Sequence, residues 1–182
     1  AEAGATVALT RAGTGQLGTA NADENGDWTY DYTATTLAED THTFTATATD
    51  SAGNTSETSA EFEVVVDGTQ PDAPTITGID DDTGADDADG VTNDPQLMIS
   101  GTADADTTVT ITLVGTGELG TTTADENGDW TLDYTETTLE DGNHAFTATA
   151  TDAAGNTSAA SEQFPITVDT SAPDAPQVTA IA

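Results

Sequence analysis

The densest chemistry in this 182-residue sequence is a run of carboxylates, IDDDTGADDADGVTND. In it Asp80, Asp81, Asp82, Asp86, Asp87, Asp89 and Asp94 fall within 15 residues and no cation stands among them. Two carboxylates about 4 Å apart repel by about 4 kcal/mol at an effective dielectric of about 20, so a folded loop of this kind calls for a counterion. Hard oxygen ligands select Ca²⁺ over transition metals, and Ca²⁺ accepts irregular shells to which Asn93 and a glycine-rich backbone add carbonyl oxygens. Asp80, Asp82, Asp89, Asn93 and Asp94 are therefore candidate calcium ligands, set against the alternative of a solvated acidic loop. A second candidate group is Asp50 with Asn54 in TDSAGN, Asp152 with Asn156 in TDAAGN, and Asp67, Asp72 and Asp169 at or after the last strand of each half. Asp50 and Asp67 each end a strand. If those strands ended side by side, both carboxylates would reach the pole facing the next domain, where a shared cation could lock two domains together. The alternative is that AGN is only a turn, with glycine supplying positive φ and the Asp side chain capping it.

Other patterns carry less. Asp23, Asn25 and Asp27 in DENGDW are spaced like the start of a calcium loop, but the glycine comes early and no Glu stands at the twelfth position; Asn25-Gly26 and Asn127-Gly128 read better as tight turns. Trp28 and Trp130 could stack on sugars, yet each opens an alternating row and fits a core anchor. His42 and His144 sit beside Phe with no second imidazole, a poor transition-metal set. Asn54-Thr55-Ser56 has the form of a glycosylation acceptor but lies within a turn. No Cys is present, which excludes thiol catalysis, thiolate metal sites and disulfides. Thirty-four acids face one Arg and no Lys, for a formal charge of −33, so nucleic acid and anionic membrane are excluded as natural partners. No apolar run is long enough for membrane insertion, and the first residues lack the basic start and apolar stretch of a signal peptide.

The elements that position these groups come in duplicate. At a constant offset of 102, ADENGDWT, FTATATD and AGNTS all return, and residues 1–80 match residues 103–182 at 48 of 80 positions without a gap. Within the complete copy, apolar residues alternate at period 2: Leu97 and Ile99; Val109, Ile111 and Leu113; Trp130, Leu132 and Tyr134; Phe146, Ala148 and Ala150; Phe164, Ile166 and Val168. Threonines fill the opposite face, as suits a solvated pleat. With strands at Thr75 to Ile79 and around Thr121 to Thr123, these rows predict an all-β fold: tandem immunoglobulin-like sandwiches of about seven strands, without a disulfide. The expected partition is an incomplete first repeat over 1–70, a complete one over 71–172, and the opening strand of a third over 173–182, as in an array that was longer in nature.

The succession VTND, ISGTAD, ADENGDW, FTATATDAAGNTS and VDTSAPDAP resembles the bacterial Ig-like repeats of giant Gram-negative surface adhesins exported by type I secretion. It is most similar to the calcium-dependent extender repeats of RTX adhesins from marine and biofilm-forming bacteria. That resemblance implies a cell-surface stalk of stacked repeats whose neighbours are its main partners, with Ca²⁺ at the junctions stiffening it outside the cell. The rival function is an adhesive module gripping a glycan or protein through its loops, which would concentrate variation at one pole, whereas identity here runs through strands and junction acids. A catalytic set duplicated in tandem would be unusual, and an enzyme is not expected. The first repeat lacks counterparts of Leu97 and Ile99, whose burial is worth about 3 to 6 kcal/mol. Residues 1–70 are therefore expected to be unstable alone unless something covers that face, either a head-to-tail contact in a crystal with the C-terminal strand of another molecule or residues that precede Ala1.

Overall fold

The computed structural model describes residues 1–80, 82–83, 89–177 and 179. Asp81, Asp86 and Asp87 of the acidic run, and Val178 and residues 180–182 of the expected third opening strand, lie outside the described residues. The chain forms two compact units, Ala1–Gly68 and Thr69–Ala182.

The first unit is a single antiparallel sheet. Its strands are β1 (Thr6–Arg11), β2 (Gly15–Asn21), β3 (Asp40–Thr49) and β4 (Phe62–Val66), in the order β2-β1-β3-β4. The second unit contains β5 (Thr75–Asp80), β6 (Val91–Thr92), β7 (Leu97–Thr102), β8 (Thr108–Leu113), β9 (Gly117–Thr123), β10 (Asp129–Tyr134), β11 (Gly142–Thr151) and β12 (Phe164–Val168). They make a three-stranded sheet, β10-β7-β5, and a five-stranded sheet, β6-β12-β11-β8-β9. The alternation read from the sequence becomes the core: Ile76, Ile79, Leu97, Ile99, Trp130 and Leu132 of one sheet pack with Val109, Ile111, Leu113, Phe146, Ala148, Ile166 and Val168 of the other. This is the sandwich that the period-2 rows demand, since each sheet has one apolar face and buries it against the other.

Two details depart from expectation. The second unit has eight strands because Val91–Thr92 adds a short parallel partner to β12, a pairing of only two residues that leaves no periodic trace. The tight turn expected at Asn127-Gly128 is present, with Gly128 at φ 86°, and it joins β9 to β10 across the two sheets. The shared pole for Asp50 and Asp67 is also corrected. β3 and β4 are antiparallel, with Asp40 opposite Val66 and Phe44 opposite Phe62, so Asp67 lies beside the start of β3 and Asp50 follows its far end. At about 3.4 Å per residue those ends are about 30 Å apart. The antiparallel pairing of β11 with β12 separates Asp152 from Asp169 in the same way.

The four strands of the first unit correspond to β9, β8, β11 and β12 of the five-stranded sheet, and the unit holds no counterpart of β5, β6 or β7. The residues aligned with β10, Asp27 to Tyr32, form no strand. Tyr30 and Trp28 still fold over the sheet: the Tyr30 hydroxyl donates to Leu17 O at 2.9 Å, and its ring lies against Gly18. Toward β3 and β4 the face stays open. Phe62 is 67% exposed, and Phe44, equivalent to the fully buried Phe146, is only half-buried.

In the second unit the central strand β7 passes so close to its neighbours that a Cβ at Gly101 would fall on the Trp130 ring and on the Thr75 carbonyl oxygen. Gly101→Val should therefore destabilise this unit by about 1 to 3 kcal/mol or more, read as an earlier urea transition in far-ultraviolet circular dichroism. An unchanged midpoint would contradict the packing described.

Candidate functional site

The acidic run lies between β5 and β7, and in its described part Asp82, Asp89 and Asp94 fold back onto nearby backbone. Asp82 Oδ2 accepts the Gly90 N–H at 2.9 Å, Asp89 Oδ1 accepts the Val91 N–H at 2.9 Å, and Asp94 Oδ1 accepts the Gln96 N–H at 2.9 Å. Thr83 ties the two arms of the loop together: its hydroxyl donates to Asn93 Oδ1 at 2.7 Å and accepts the Asn93 N–H at 3.0 Å. The buried Thr92 hydroxyl lies 3.0 Å from that of Thr83. One atom is left over. Among the described residues Asp82 Oδ1 is buried and has no hydrogen-bond partner. A buried carboxylate oxygen without a donor is costly and calls for positive charge beside it. Asp80 is exposed at the end of β5. Among the described residues no three acidic or histidine side chains come together as a metal-binding group.

The AGN acids take a different role. Asp50 Oδ1 accepts the N–H groups of Ala52 (2.9 Å) and Asn54 (2.8 Å), while Oδ2 accepts Asn54 Nδ2 at 2.8 Å. Asp152 repeats this with Asn156, through the backbone N–H to Oδ1 and Nδ2 to Oδ2, both at 2.9 Å. Gly53 and Gly155 follow at φ 90° and 92°, the left-handed conformation that glycine adopts without strain. Hydrogen bonds from the Asn side chains, then from the backbone, hold both carboxyls below the usual carboxylate range. Asp125 is lowered chiefly by the Asp129 and Asn127 N–H groups, which its Oδ1 accepts at 3.0 and 2.8 Å. Asp23 closes the equivalent turn in the first unit with the N–H groups of Asn25 and Asp27, so the calcium-loop spacing there serves a cap.

The remaining candidates are scattered. Asp67 is exposed after β4. The Asp72 N–H donates to Asp104 Oδ2 at 2.9 Å. Asp169 accepts the Ser171 N–H at 3.0 Å and donates its own N–H to Thr92 O at 2.9 Å. Close to Asp169, Asp141 gathers the Thr170 N–H, the Thr170 hydroxyl and the Ser171 hydroxyl, and the Thr170 hydroxyl does most to lower its carboxyl. Neither His is a ligand: Nε2 of His42 and of His144 lies 2.9 Å from the carbonyl oxygen four residues earlier. Trp130 is buried in the core, whereas Trp28 lines the open face of the first unit.

Sequence reasoning missed the serines. Beyond Phe146 the β12 ladder stops, and the segment after AGN runs along β11 in its place. Ser158 Oγ accepts the Ala150 N–H at 2.9 Å and donates to Ala159 O at 2.7 Å, and Ser161 Oγ does the same for Ala148 and Glu162. Ser56 and Ser59 repeat the device in the first unit. Their identical i, i+3 spacing in both copies was the available signal.

No curated protein sequence matches the chain significantly. The profile of the bacterial Ig-like domain family matches residues 1–68 and 70–170. Among solved structures, fibronectin(III)-like modules of Clostridium thermocellum CbhA align at 18% identity over 92% of this chain and 79% of that one, with a TM-score of 0.51, a likeness of fold. A tetra-tandem repeat in the extending region of a large adhesion protein aligns at 22% identity over 92% of this chain and 42% of that one, TM-score 0.41. A structure of a 1.5-MDa bacterial ice-binding adhesin aligns at 30% identity over 92% of this chain and 53% of that one, TM-score 0.39. The chain thus spans less than two thirds of either adhesin structure.

Two measurements test the local geometry. Ser158→Ala leaves the Ala150 N–H buried without an acceptor and should cost about 1 to 3 kcal/mol in chemical denaturation. The turn carboxyls have folded pKa values depressed below the ordinary 3.8. Their stabilisation is therefore complete above that value and is lost as pH falls through the folded value. Side-chain carbon resonances of Asp152 should titrate below 3.8, and Asp152→Asn should leave stability less sensitive to acid. A midpoint at or above 3.8 would refute the cap.

Proposed function

The chain belongs to the bacterial Ig-like domain family, and we propose that it is a non-catalytic extender of a bacterial cell-surface adhesin, whose repeats add length to a stalk outside the cell and are stiffened by Ca²⁺. The observation that carries this reading is the duplication itself. At an offset of 102 residues the two copies share strands, turn caps, serine bridges and the His contact, down to equivalent hydrogen bonds at Asp50 and Asp152 or Ser56 and Ser158. A unit under selection for length and fold can be copied whole. The charge of −33 supports an exterior setting where salt screens the surface, and two of the aligned proteins, a large adhesion protein with an extending region and a bacterial ice-binding adhesin, accord with it.

Calcium belongs to the proposal through the β5–β7 loop. Asp82 Oδ1 is the buried acceptor that a hard cation would satisfy, and Asp80, Asp89, Asn93 and Asp94 are oxygen donors on the same connection. Asp67, Asp72 and Asp169 stand near the repeat boundaries, where a cation shared between neighbours would restrict their motion. Asp50 and Asp152 already spend their oxygens on their own turns, so ligation there would compete with Asn54 and Asn156.

Isothermal titration with Ca²⁺ should show saturable binding that Asp82→Ala weakens by at least about tenfold, and a chelator should lower the melting temperature by several degrees. Small-angle scattering should give a larger maximum dimension with Ca²⁺ than with chelator. Absence of both heat and melting shift at millimolar Ca²⁺ would remove calcium from the function; binding without a scattering change would confine its role to the fold.

A further inference from the structure

The outer face of the larger sheet in the second unit is almost free of charge. On β8 and β11 the residues that alternate with the buried core row are threonines, and the register sets them side by side: Thr108 opposite Thr151, Thr110 opposite Thr149, Thr112 opposite Thr147. β9 continues two of these rows with Thr123 and Thr121. Toward the other edge stand Pro165, Thr167 and Val91. Among the described residues of this face the one carboxylate is Glu118, opposite Thr112. The smaller sheet is different: Asp80, Asp129 and Asp133, alternating with core residues, all point outward from it. The first unit repeats the uncharged face. Thr6, Ala8 and Thr10 of β1 stand opposite Thr49, Thr47 and Thr45 of β3, and the one carboxylate there is Glu63 on β4. At the offset of 102, Glu63 becomes Pro165 and Glu118 corresponds to Gln16, so no position of the face is charged in both copies. Val65 and Val91, exposed at 69% and 42%, lie on this face in the two units.

We propose that this face is a contact surface for a second copy of the chain, packed threonine face to threonine face. Charge selects that occupant first. Two chains of charge −33 repel over the rest of their surfaces, and the outward acids of the smaller sheet would meet their own kind, so the uncharged face is where two copies can approach. Chemistry selects it next. A threonine hydroxyl both donates and accepts and its methyl is apolar, so a threonine array is complementary to its own copy about a two-fold axis, as a carboxylate array is not. Among the described residues the hydroxyls of Thr110, Thr112, Thr147 and Thr149 make no hydrogen bond within the chain. No aromatic ring points outward from these strands to give a sugar a stacking surface. Strand spacing and rise give the face about 400 Å². That is about half of what one partner contributes to a standard stable interface, so one pair of faces associates weakly and further repeats add through effective concentration. The contact needs neither calcium nor the extender role; that it would bundle stalks side by side rests on that role.

The test is sedimentation equilibrium of the full chain up to millimolar concentration, with chelator present so that calcium plays no part. Raising NaCl from about 0.1 M to about 1 M shortens the screening length from about 10 Å to about 3 Å, and the association constant should rise at least about tenfold as repulsion falls and the uncharged contact persists. Thr149→Glu and Thr110→Glu, facing neighbours at the middle of the array, should each weaken association at least about tenfold by setting like charges against each other. Thr149→Val should retain it. Thr131→Glu makes the same change on the exposed side of the smaller sheet and should leave association within about twofold of the parent, with thermal melting by circular dichroism showing every variant folded. The proposal is overturned if the chain stays monomeric at millimolar concentration in the higher salt, or if Thr131→Glu weakens association as much as Thr149→Glu. It is also overturned if the amide resonances of Thr147 to Thr151 move on adding a neutral oligosaccharide such as maltoheptaose to a chain that stays monomeric, which would give the face to a glycan.

Discussion

A sheet with one apolar face cannot stand in water uncovered, and in this protein the strand that closes the sandwich is β7. It is the middle strand of the smaller sheet, it carries Leu97 and Ile99 into the core at full burial, and it holds β5 on one side and β10 on the other. Its glycine lets the Trp130 ring cross it, so the largest core side chain is anchored by the absence of another. Burying Leu97 and Ile99 alone is worth about 3 to 6 kcal/mol, a large part of the net stability of a small domain. The first unit has four equivalent strands of the larger sheet, and with no β7 over them Phe44 is half-buried and Phe62 mostly exposed.

What does not depend on β7 is the local closure of turns. Asp23 and Asp125, Asp50 and Asp152, Ser56 and Ser158, Ser59 and Ser161 make the same hydrogen bonds in both units, whether or not the sandwich above them is complete. A carboxylate that accepts two backbone N–H groups has a use for its charge without any cation, which is how many acids persist in a chain with one Arg. The described acids therefore divide by surroundings: those with donors within their own turn are satisfied, and Asp82, with one buried oxygen that no described residue serves as donor, is not.

The sequence made the inward rows legible because period 2 marks a half-buried strand directly, and Val109, Ile111, Phe146, Ala148, Ile166 and Val168 all stand where alternation puts them. It did not reveal which strand ends are neighbours. Asp50 and Asp67 both follow strands, and only the antiparallel register of β3 with β4 shows that those strands end at opposite poles. The serine bridges were hidden for a related reason: a hydroxyl substitutes for a ladder partner only if the chain returns beside β11, a tertiary fact. The loop from Asp80 to Asp94 was legible as a charge problem from composition, while the distribution of its oxygens between backbone and solvent required coordinates.

The octapeptide ADENGDWT occurs twice in one molecule, which separates local from long-range causes. Its turn is the same in both places, with Asp23 and Asp125 each accepting two backbone N–H groups. Its continuation differs: from Asp129 it is strand β10, buried through Trp130, while the residues from Asp27 to Tyr32 form no strand. Propensity is shared, so the difference lies in the partner, and a strand in this repeat is made by its neighbour rather than by its own residues. It follows that the sequence period and the folding unit coincide only in one phase, the one that places β5 and β7 ahead of the sheet they cover. Pro71 and Pro74, immediately before β5, mark that phase.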